Sequence, residues 1–204
     1  MAVRAVVWDV GGVLYEWHPR FLYDKLIADA GERQRFLSRI LTIDWHFQHD
    51  HGRDFADTSA ELIAEHPDYG DLIRAFRDRF NETIRGPVEG THALLHELDA
   101  RGVPLFAITN FSHEFFPKFR DAHRDVFDRF RDVVVSGDEK LAKPDPEIYR
   151  RALARFGLAP GEGLFIDDNE QNVVAARANG FVAHHFTTAE ALRAELVAHA
   201  LLPA

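Results

Sequence analysis

The sequence predicts an α/β fold: a parallel sheet carrying helices on both faces, interrupted after its first strand by an all-helical subdomain. Three observations lead there. Five short apolar runs, at residues 3–8, 103–108, 133–135, 164–166 and 181–186, are rich in Val, Ile, Leu and Phe and end at polar or glycine residues. Their length suits strands buried on both faces. From residue 88 onward these runs alternate with stretches of helical periodicity, the pattern of strand–helix–strand units. Between residues 17 and 86 the alternation stops and helical spacing dominates.

The chain has 204 residues, 46% of them hydrophobic, with 17 phenylalanines, which is material for one sizeable core with a modest insertion. A formal net charge of −9 provides no basic face, so nucleic acid is not expected as a partner and the acidity serves solubility. The absence of cysteine excludes disulfides, thiolate metal sites and a cysteine nucleophile. No apolar run approaches the length of a membrane span, and Asp9 interrupts the first apolar stretch, so no signal peptide is read there. The expectation is a cytoplasmic protein that acts on a small molecule and has no membrane partner. Its oligomeric state is left open between monomer and homodimer.

Taken in order, the first strand stops at Asp9 and runs at once into Gly11 and Gly12. A carboxylate at the carboxyl end of a parallel strand, on a glycine-hinged turn, stands where open α/β sheets bind ligands. Pro19 opens a helix in which Phe21, Leu22, Leu26 and Ile27 recur at helical spacing, and a second helix covers residues 32–41. Residues 42–52, with His46, His49 and His51 around Asp50, read as irregular. Residues 58–65 are helical, with capping residues in the run 57–61 and a stop at Pro67. Residues 71–83 form an amphipathic helix through Leu72, Ile73, Phe76 and Phe80, and Gly86 with Pro87 breaks the chain.

A helix from Val88 then ends at Gly102. The second strand leads directly into Thr109 and Asn110. Residues 115–130 are helical, the third strand follows, and residues 136–144 form a loop bearing Lys143. A helix over residues 146–156 starts at a proline. The fourth strand leads into Asp167 and Asp168, a helix covers 172–179, and the fifth strand and a helix over 189–201 complete the chain.

Four strand ends or following loops thus carry polar chemistry, and in a parallel sheet they share one edge. Asp9, Asp167 and Asp168 supply hard oxygen ligands of the kind Mg²⁺ takes, usually together with waters and a substrate phosphate. Lys143 and the Thr109 hydroxyl can hold phosphoryl oxygens and stabilise charge as it builds. Asp9 can then attack phosphorus to form an aspartyl-phosphate, a known use of a carboxylate nucleophile, which water hydrolyses.

Asp9-Val-Gly-Gly-Val-Leu14, Thr109-Asn110, Lys143-Pro144 and Asp167-Asp168-Asn169 resemble the four motifs of the haloacid dehalogenase-like hydrolase superfamily, in order and in approximate spacing. The helical insert resembles this superfamily's first type of cap, so the resemblance spans essentially the whole chain. It implies a Rossmann-like core over residues 1–16 and 88–204, a helical cap over 17–87, and dependence on Mg²⁺. It also implies roles: Asp9 as nucleophile and metal ligand, the Gly11 carbonyl as a further ligand, and Thr109 and Asn110 on phosphate. Lys143 would pair with nucleophile and phosphate. Asp168 would be the direct acidic ligand, with Asp167 ligating the metal or holding a metal-bound water.

One position departs from the pattern. Phosphatases of this superfamily usually carry a second aspartate two residues after the nucleophile, as general acid and base, and here that position is Gly11. A glucose-1-phosphatase-like branch also has glycine there. Three readings follow: a phosphatase of small monoesters, sugar phosphates among them, with a substitute acid or a good leaving group; a 2-haloacid dehalogenase, in which Asp9 attacks carbon; and a non-catalytic binding or interaction protein. The adjacent Asp167 and Asp168 favour the first, because dehalogenases of this type bind no metal and typically carry serine and asparagine there. Dehalogenases also favour a cap arginine for the substrate carboxylate, for which Arg20, Arg33, Arg35 and Arg39 are on offer.

The remaining candidates have plain structural readings beside the functional ones. His46, His49 and His51 do not share one helix face and make a poor zinc site, although one of them could serve as the missing acid. Glu16 and His18 stand at the hinge. Trp45 could stack on a substrate or pack in the cap, and Phe111, Phe115 and Phe116 could line a pocket or fill the core. Asn172 reads as a helix cap.

Overall fold

The computed structural model describes residues 2–203. Its first strand, β1 (Ala5–Trp8), leads through a tight turn to the short β2 (Tyr15–Trp17). Five helices follow: α1 (Arg20–Leu26), α2 (Ala30–Arg39), α3 (Ile43–Asp50), α4 (Phe55–Glu65) and α5 (Gly70–Asp78). The chain returns through β3 (Ile84–Pro87), and α6 (Thr91–Ala100) leads to β4 (Leu105–Thr109). Then come α7 (Phe116–Ala122), α8 (Arg124–Phe127), β5 (Asp132–Val135), the single turn α9 (Ser136–Glu139), α10 (Pro146–Phe156), β6 (Gly163–Asp167), α11 (Glu170–Ala178), β7 (Val182–His185) and α12 (Ala189–Ala198).

The main sheet is parallel, in the order β5-β4-β1-β6-β7, with β1 at its centre. All four residues of β1 are buried, and they alternate between two packed layers. Val6 and Trp8 join Leu105, Ala107, Leu164 and Ile166 on one face, where Leu95 and Leu98 of α6 and Leu192 and Leu196 of α12 cover them. Ala5 and Val7 join Phe106, Ile108 and Phe165 on the other, under Ile148, Tyr149 and Ala152 of α10 and Val173 of α11. The period of two along each strand is what lets one apolar run serve both layers. Burying each of these large side chains contributes roughly 1.5–3 kcal/mol, so the register of the central strands is strongly held. Trp8 pairs with Ala107 on one side and Ile166 on the other, and the Asp9 N–H donates to the Ile166 carbonyl at 2.9 Å. That register brings Asp9, Thr109 and Asp167 to the same edge.

The structure differs from the sequence expectation in several places; the helix expected over 71–83 stops at Asp78, and the loop expected over 136–144 opens with the turn α9. Residues 42–52 are not irregular: α3 runs through them. The Thr42 hydroxyl caps it by accepting from the Trp45 N–H at 3.1 Å, and its buried face is Trp45, His46, His49 and Asp50. His and Asp are indifferent helix formers, and it is tertiary burial that carries this helix. Gly86 and Pro87 do not simply break the chain. They lie in β3, which pairs antiparallel with β2 (Tyr15↔Pro87, Glu16↔Gly86) as a two-stranded ribbon at the root of the helical insert, and an edge strand of this kind tolerates proline. The helix expected at 58–65 begins three residues earlier, at Phe55. The stretch 115–130 is split into α7 and α8 at His123.

Candidate active site

The turn after β1 is built around its glycines. Asp9 is buried, and one of its carboxylate oxygens accepts from the Val10 N–H at 2.7 Å. Gly12 has φ +77°, and a Cβ there would lie 2.3 Å from an oxygen of Asp168, whereas a Cβ on Gly11 would meet nothing within 4 Å. Of the two, only Gly12 therefore has a structural reason to be small. Gly12→Ala is expected to lower stability by about 1–3 kcal/mol, through its left-handed backbone and the collision with Asp168, while Gly11→Ala stays within about 0.5 kcal/mol of wild type. Denaturant unfolding of the two variants checks this.

At the centre sits Lys143, buried on the loop after β5. Its ammonium lies 2.8 Å from an Asp9 oxygen and 2.7 Å from an Asp167 oxygen. Burial alone would lower its pKa, but the charges of Asp167 and Asp9 outweigh that and raise it, so the ammonium is held protonated. Burial pushes Asp9 well above the usual carboxylate range; Lys143 opposes the shift, and the charge of Asp167 adds to it. Asp167 is fully buried and well supplied with donors. Asn172 Nδ2 reaches both its oxygens at 3.1 Å, the Asn169 N–H donates to one at 2.8 Å, and Lys143 takes the other. Asp168, beside it, is exposed. One oxygen each from Asp9, Asp167 and Asp168 lie within 4.8 Å of one another. Three carboxylates facing one ammonium leave an excess of negative charge and an all-oxygen donor set, which suits a hard divalent cation.

Asn110 holds the lysine loop from the opposite side. Its side-chain oxygen accepts from the Lys143 N–H at 2.8 Å, and its Nδ2 donates to the Lys143 carbonyl at 3.0 Å. The Asn110 side chain is thus committed to the Lys143 backbone. Thr109 Oγ1 is buried and has no hydrogen-bond partner among the described residues. Asn172, read from sequence as a helix cap, instead holds Asp167, and Asn169 caps α11. The signal that could have found it was its position five residues after Asp167, within reach of the same strand end.

Asp9, Asn110, Lys143, Asp168 and Asn172 open on a cavity of about 270 Å³, roofed by the helical insert. Its walls include Tyr15, Trp17, Phe47, Phe80, Ile84, Phe111 and Phe119, and from α3 it receives His46 and Asp50. Of the histidines weighed above, His46 faces the cavity, stacked on Trp17 at 4.8 Å between ring centroids. His49 is buried inside the insert against Phe55, bonded to the Thr58 hydroxyl at 2.7 Å, and His51 is exposed. Burial lowers His46 to about 4 and His49 to about 3, so both rings are neutral near pH 7.

Trp45 does not reach the cavity; its indole N–H donates to the Thr58 carbonyl inside the insert. Phe115 and Phe116 pack in the core, and only Phe111 of that cluster lines the cavity. Glu16 faces Arg85 at 3.6 Å, and His18 accepts from the Arg20 N–H at the start of α1. No arginine lines the cavity among the described residues; Arg20 and Arg33 pair instead with Asp24.

Comparison with known proteins agrees with this fold. Residues 3–180 match the family described as haloacid dehalogenase-like hydrolases. The sesquiterpene phosphatase astK of Aspergillus oryzae is 29% identical over 194 residues, covering 95% of this chain and 94% of its own. Protein CbbY of Rhodobacter capsulatus is 26% identical over 88% of this chain and 83% of its own. Among solved structures, the enzyme bt-2542 of Bacteroides thetaiotaomicron, in complex with magnesium and inorganic phosphate, superposes with a TM-score of 0.66 at 20% identity, covering 91% of this chain and 95% of that one. The L-2-haloacid dehalogenase of Xanthobacter autotrophicus gives 0.62 at 19% identity over 98% and 85%. At these identities the structural likeness speaks for the fold.

Proposed function

The chain belongs to the haloacid dehalogenase-like hydrolases, and from that premise we propose that it is a Mg²⁺-dependent phosphatase of small monoesters, working through an aspartyl-phosphate on Asp9. The observation that carries the reading is the buried Asp9–Lys143–Asp167 array beside the unpartnered Thr109 hydroxyl. Asp9, Asp168 and the Gly11 carbonyl would hold the magnesium ion, which supplies positive charge against the phosphoryl oxygens so that a carboxylate can approach them. Asp167, with its oxygens on Lys143, Asn172 and Asn169, keeps the lysine in place. Asp9 attacks phosphorus, Lys143 and Thr109 steady the phosphoryl oxygens, and water then releases phosphate. The helical insert, hinged at the β2–β3 ribbon, acts as a cap that excludes water from this step.

The cavity favours an apolar leaving group. Six aromatic side chains, Tyr15, Trp17, Phe47, Phe80, Phe111 and Phe119, line it opposite the polar groups of the strand ends, and it is small for a ligand site. Along the aromatic part of the wall a sugar phosphate would find few hydrogen-bond partners for its hydroxyls. A sesquiterpene phosphatase among the full-length relatives supports the same direction. The dehalogenase reading lacks the arginine it would use for a substrate carboxylate.

Phosphate release from alkyl, aryl and terpenyl phosphates and from sugar phosphates, each with Mg²⁺ and with chelator, alongside halide release from 2-chloropropionate, tests this. Chelator-sensitive release favouring the apolar esters is expected. Halide release insensitive to chelator overturns the reading.

Thr109 gives a sharper check. Its hydroxyl has no partner to lose in the free protein, so Thr109→Val is expected to leave thermal stability unchanged or slightly raised. It should lower kcat/KM by about 10- to 10²-fold, the worth of a hydrogen bond to a charged group. A loss of stability without loss of activity would mark the hydroxyl as structural.

A further inference from the structure

Departure of an alcohol from phosphorus requires a proton, and the turn that carries the nucleophile has no second acid, since Gly11 has no side chain. Few titratable groups line the cavity. Asp9 is the nucleophile, Lys143 is tied to two carboxylates, and Asp168 belongs to the cation site. Tyr15, His46 and Asp50 remain. Tyr15 is pushed far up by burial, and His46 is lowered by burial and carries no proton to give near neutral pH.

Asp50 is different. It is 2% exposed, yet its Oδ1 has no hydrogen-bond partner among the described residues, and the nearest candidate, His46 Nε2, stands 3.9 Å away. A buried carboxylate without donors is costly unless something outside the free protein uses it. Its residue lines both the cavity over Asp9 and Lys143 and a second opening bounded by Asn110, Lys143 and Pro144. The approach is fixed by the backbone: α3 packs on α9, and Gly52, just past the end of α3, comes so close that a Cβ there would lie 2.9 Å from the Gly137 carbonyl.

We propose that Asp50, brought to the cavity by α3 of the helical insert, is the general acid and base of this active site, in place of the side chain that Gly11 lacks. The inference rests on the phosphatase reading. In the first step an Asp9 oxygen bonds to phosphorus, the bond from phosphorus to the ester oxygen breaks with its electron pair going to that oxygen, and the Asp50 carboxyl proton passes to it, releasing the alcohol. In the second step a water oxygen bonds to phosphorus while Asp50 takes the water's proton. The Asp9–phosphorus bond breaks, and phosphate leaves with both carboxyl groups restored.

The charged and titratable groups around Asp50 are His46 on its own helix and Lys143, Asp9 and Asp168 across the cavity. His51 and Asp145 stand at the second opening, and Lys140 lies on the segment α3 packs against. Burial raises Asp50 to about 7, with Lys143 opposing the shift, so the group is poised to give and recover a proton near neutrality. The same burial has a stability cost. The folded state keeps the proton to higher pH than the unfolded state, so stability falls as pH rises from the ordinary carboxylate range to about 7.

The test is Asp50→Asn, assayed with Mg²⁺ on p-nitrophenyl phosphate, whose leaving group departs unaided, and on n-butyl phosphate, whose alkoxide does not. General acid catalysis predicts that kcat/KM for the butyl ester falls about 10²-fold further than for the nitrophenyl ester, with the melting temperature at pH 8 unchanged or raised. A ratio of the two values within about threefold of wild type, whether both fall or neither does, overturns the assignment. The wild-type enzyme supplies a second reading that needs no variant to fold. Across a series of aryl and alkyl phosphates, kcat/KM should depend only shallowly on leaving-group basicity, and a steep dependence overturns the proposal. Wild type inactive on every phosphate ester, with Mg²⁺ present, instead removes the phosphatase reading and the inference with it.

Discussion

Asp9→Asn is expected to lower turnover by at least about 10⁴-fold, as removal of a covalent nucleophile does, while the protein keeps its melting temperature. The second half of that expectation comes from the charges. Two buried carboxylates share the Lys143 ammonium, and burial already pushes Asp9 toward its neutral form. Asparagine removes the surplus charge and leaves the Lys143–Asp167 pair intact, with Asn172 and Asn169 still holding Asp167. Activity and stability therefore separate. A variant that loses both would make Asp9 a structural residue first, and a variant that keeps normal activity would remove the mechanism.

Lys143→Ala should have the opposite profile in stability and a similar one in rate. Without the ammonium, Asp9 and Asp167 face each other, buried and uncompensated. Breaking such an array from one side costs about 3–5 kcal/mol, or roughly 6–20 °C in melting temperature for a chain of this size. Turnover should fall by about 10³-fold, since a preorganised cation at the developing charge is lost. Thermal unfolding and phosphate release on the same preparation check both halves. A Lys143→Ala protein that melts like wild type would mean that solvent reaches the array and that its burial has been misjudged.

The parts of the site that were legible in the sequence are those attached to strands. A strand buried on both faces must be apolar, so its end is marked where the first carboxylate or hydroxyl appears; Asp9, Thr109 and Asp167 all announce themselves this way. Lys143 is eight residues beyond β5, and what returns it to the sheet edge is the Asn110 side chain gripping its backbone. That contact between residues 33 apart in sequence leaves no local pattern.

The same is true of β2 and β3, two strands of three and four residues that pair across the whole helical insert. Residues 42–52 conceal their helix for a related reason. His46, His49 and Asp50 share a helical spacing, but their hydrophilicity hides a face that is buried only because the rest of the insert and the core cover it. The histidines are the conspicuous residues of this stretch, and burial keeps His46 and His49 neutral, whereas the aspartate between them lines the same cavity as the nucleophile. Asn172 reads as a cap because an asparagine after an acidic pair at a helix start fits that role, which Asn169 already fills.

The claim on which the rest depends is that Asp9 forms a bond to phosphorus. The direct measurement is to quench the enzyme in acid during turnover of an aryl phosphate and analyse the peptide that contains Asp9 by mass spectrometry. A phosphoryl group on Asp9, removed by hydroxylamine and absent from Asp9→Asn, is expected. Steady phosphate release with an unmodified Asp9 at every quench time, together with a phosphoryl group on another residue or a turnover that survives in Asp9→Asn, would contradict it.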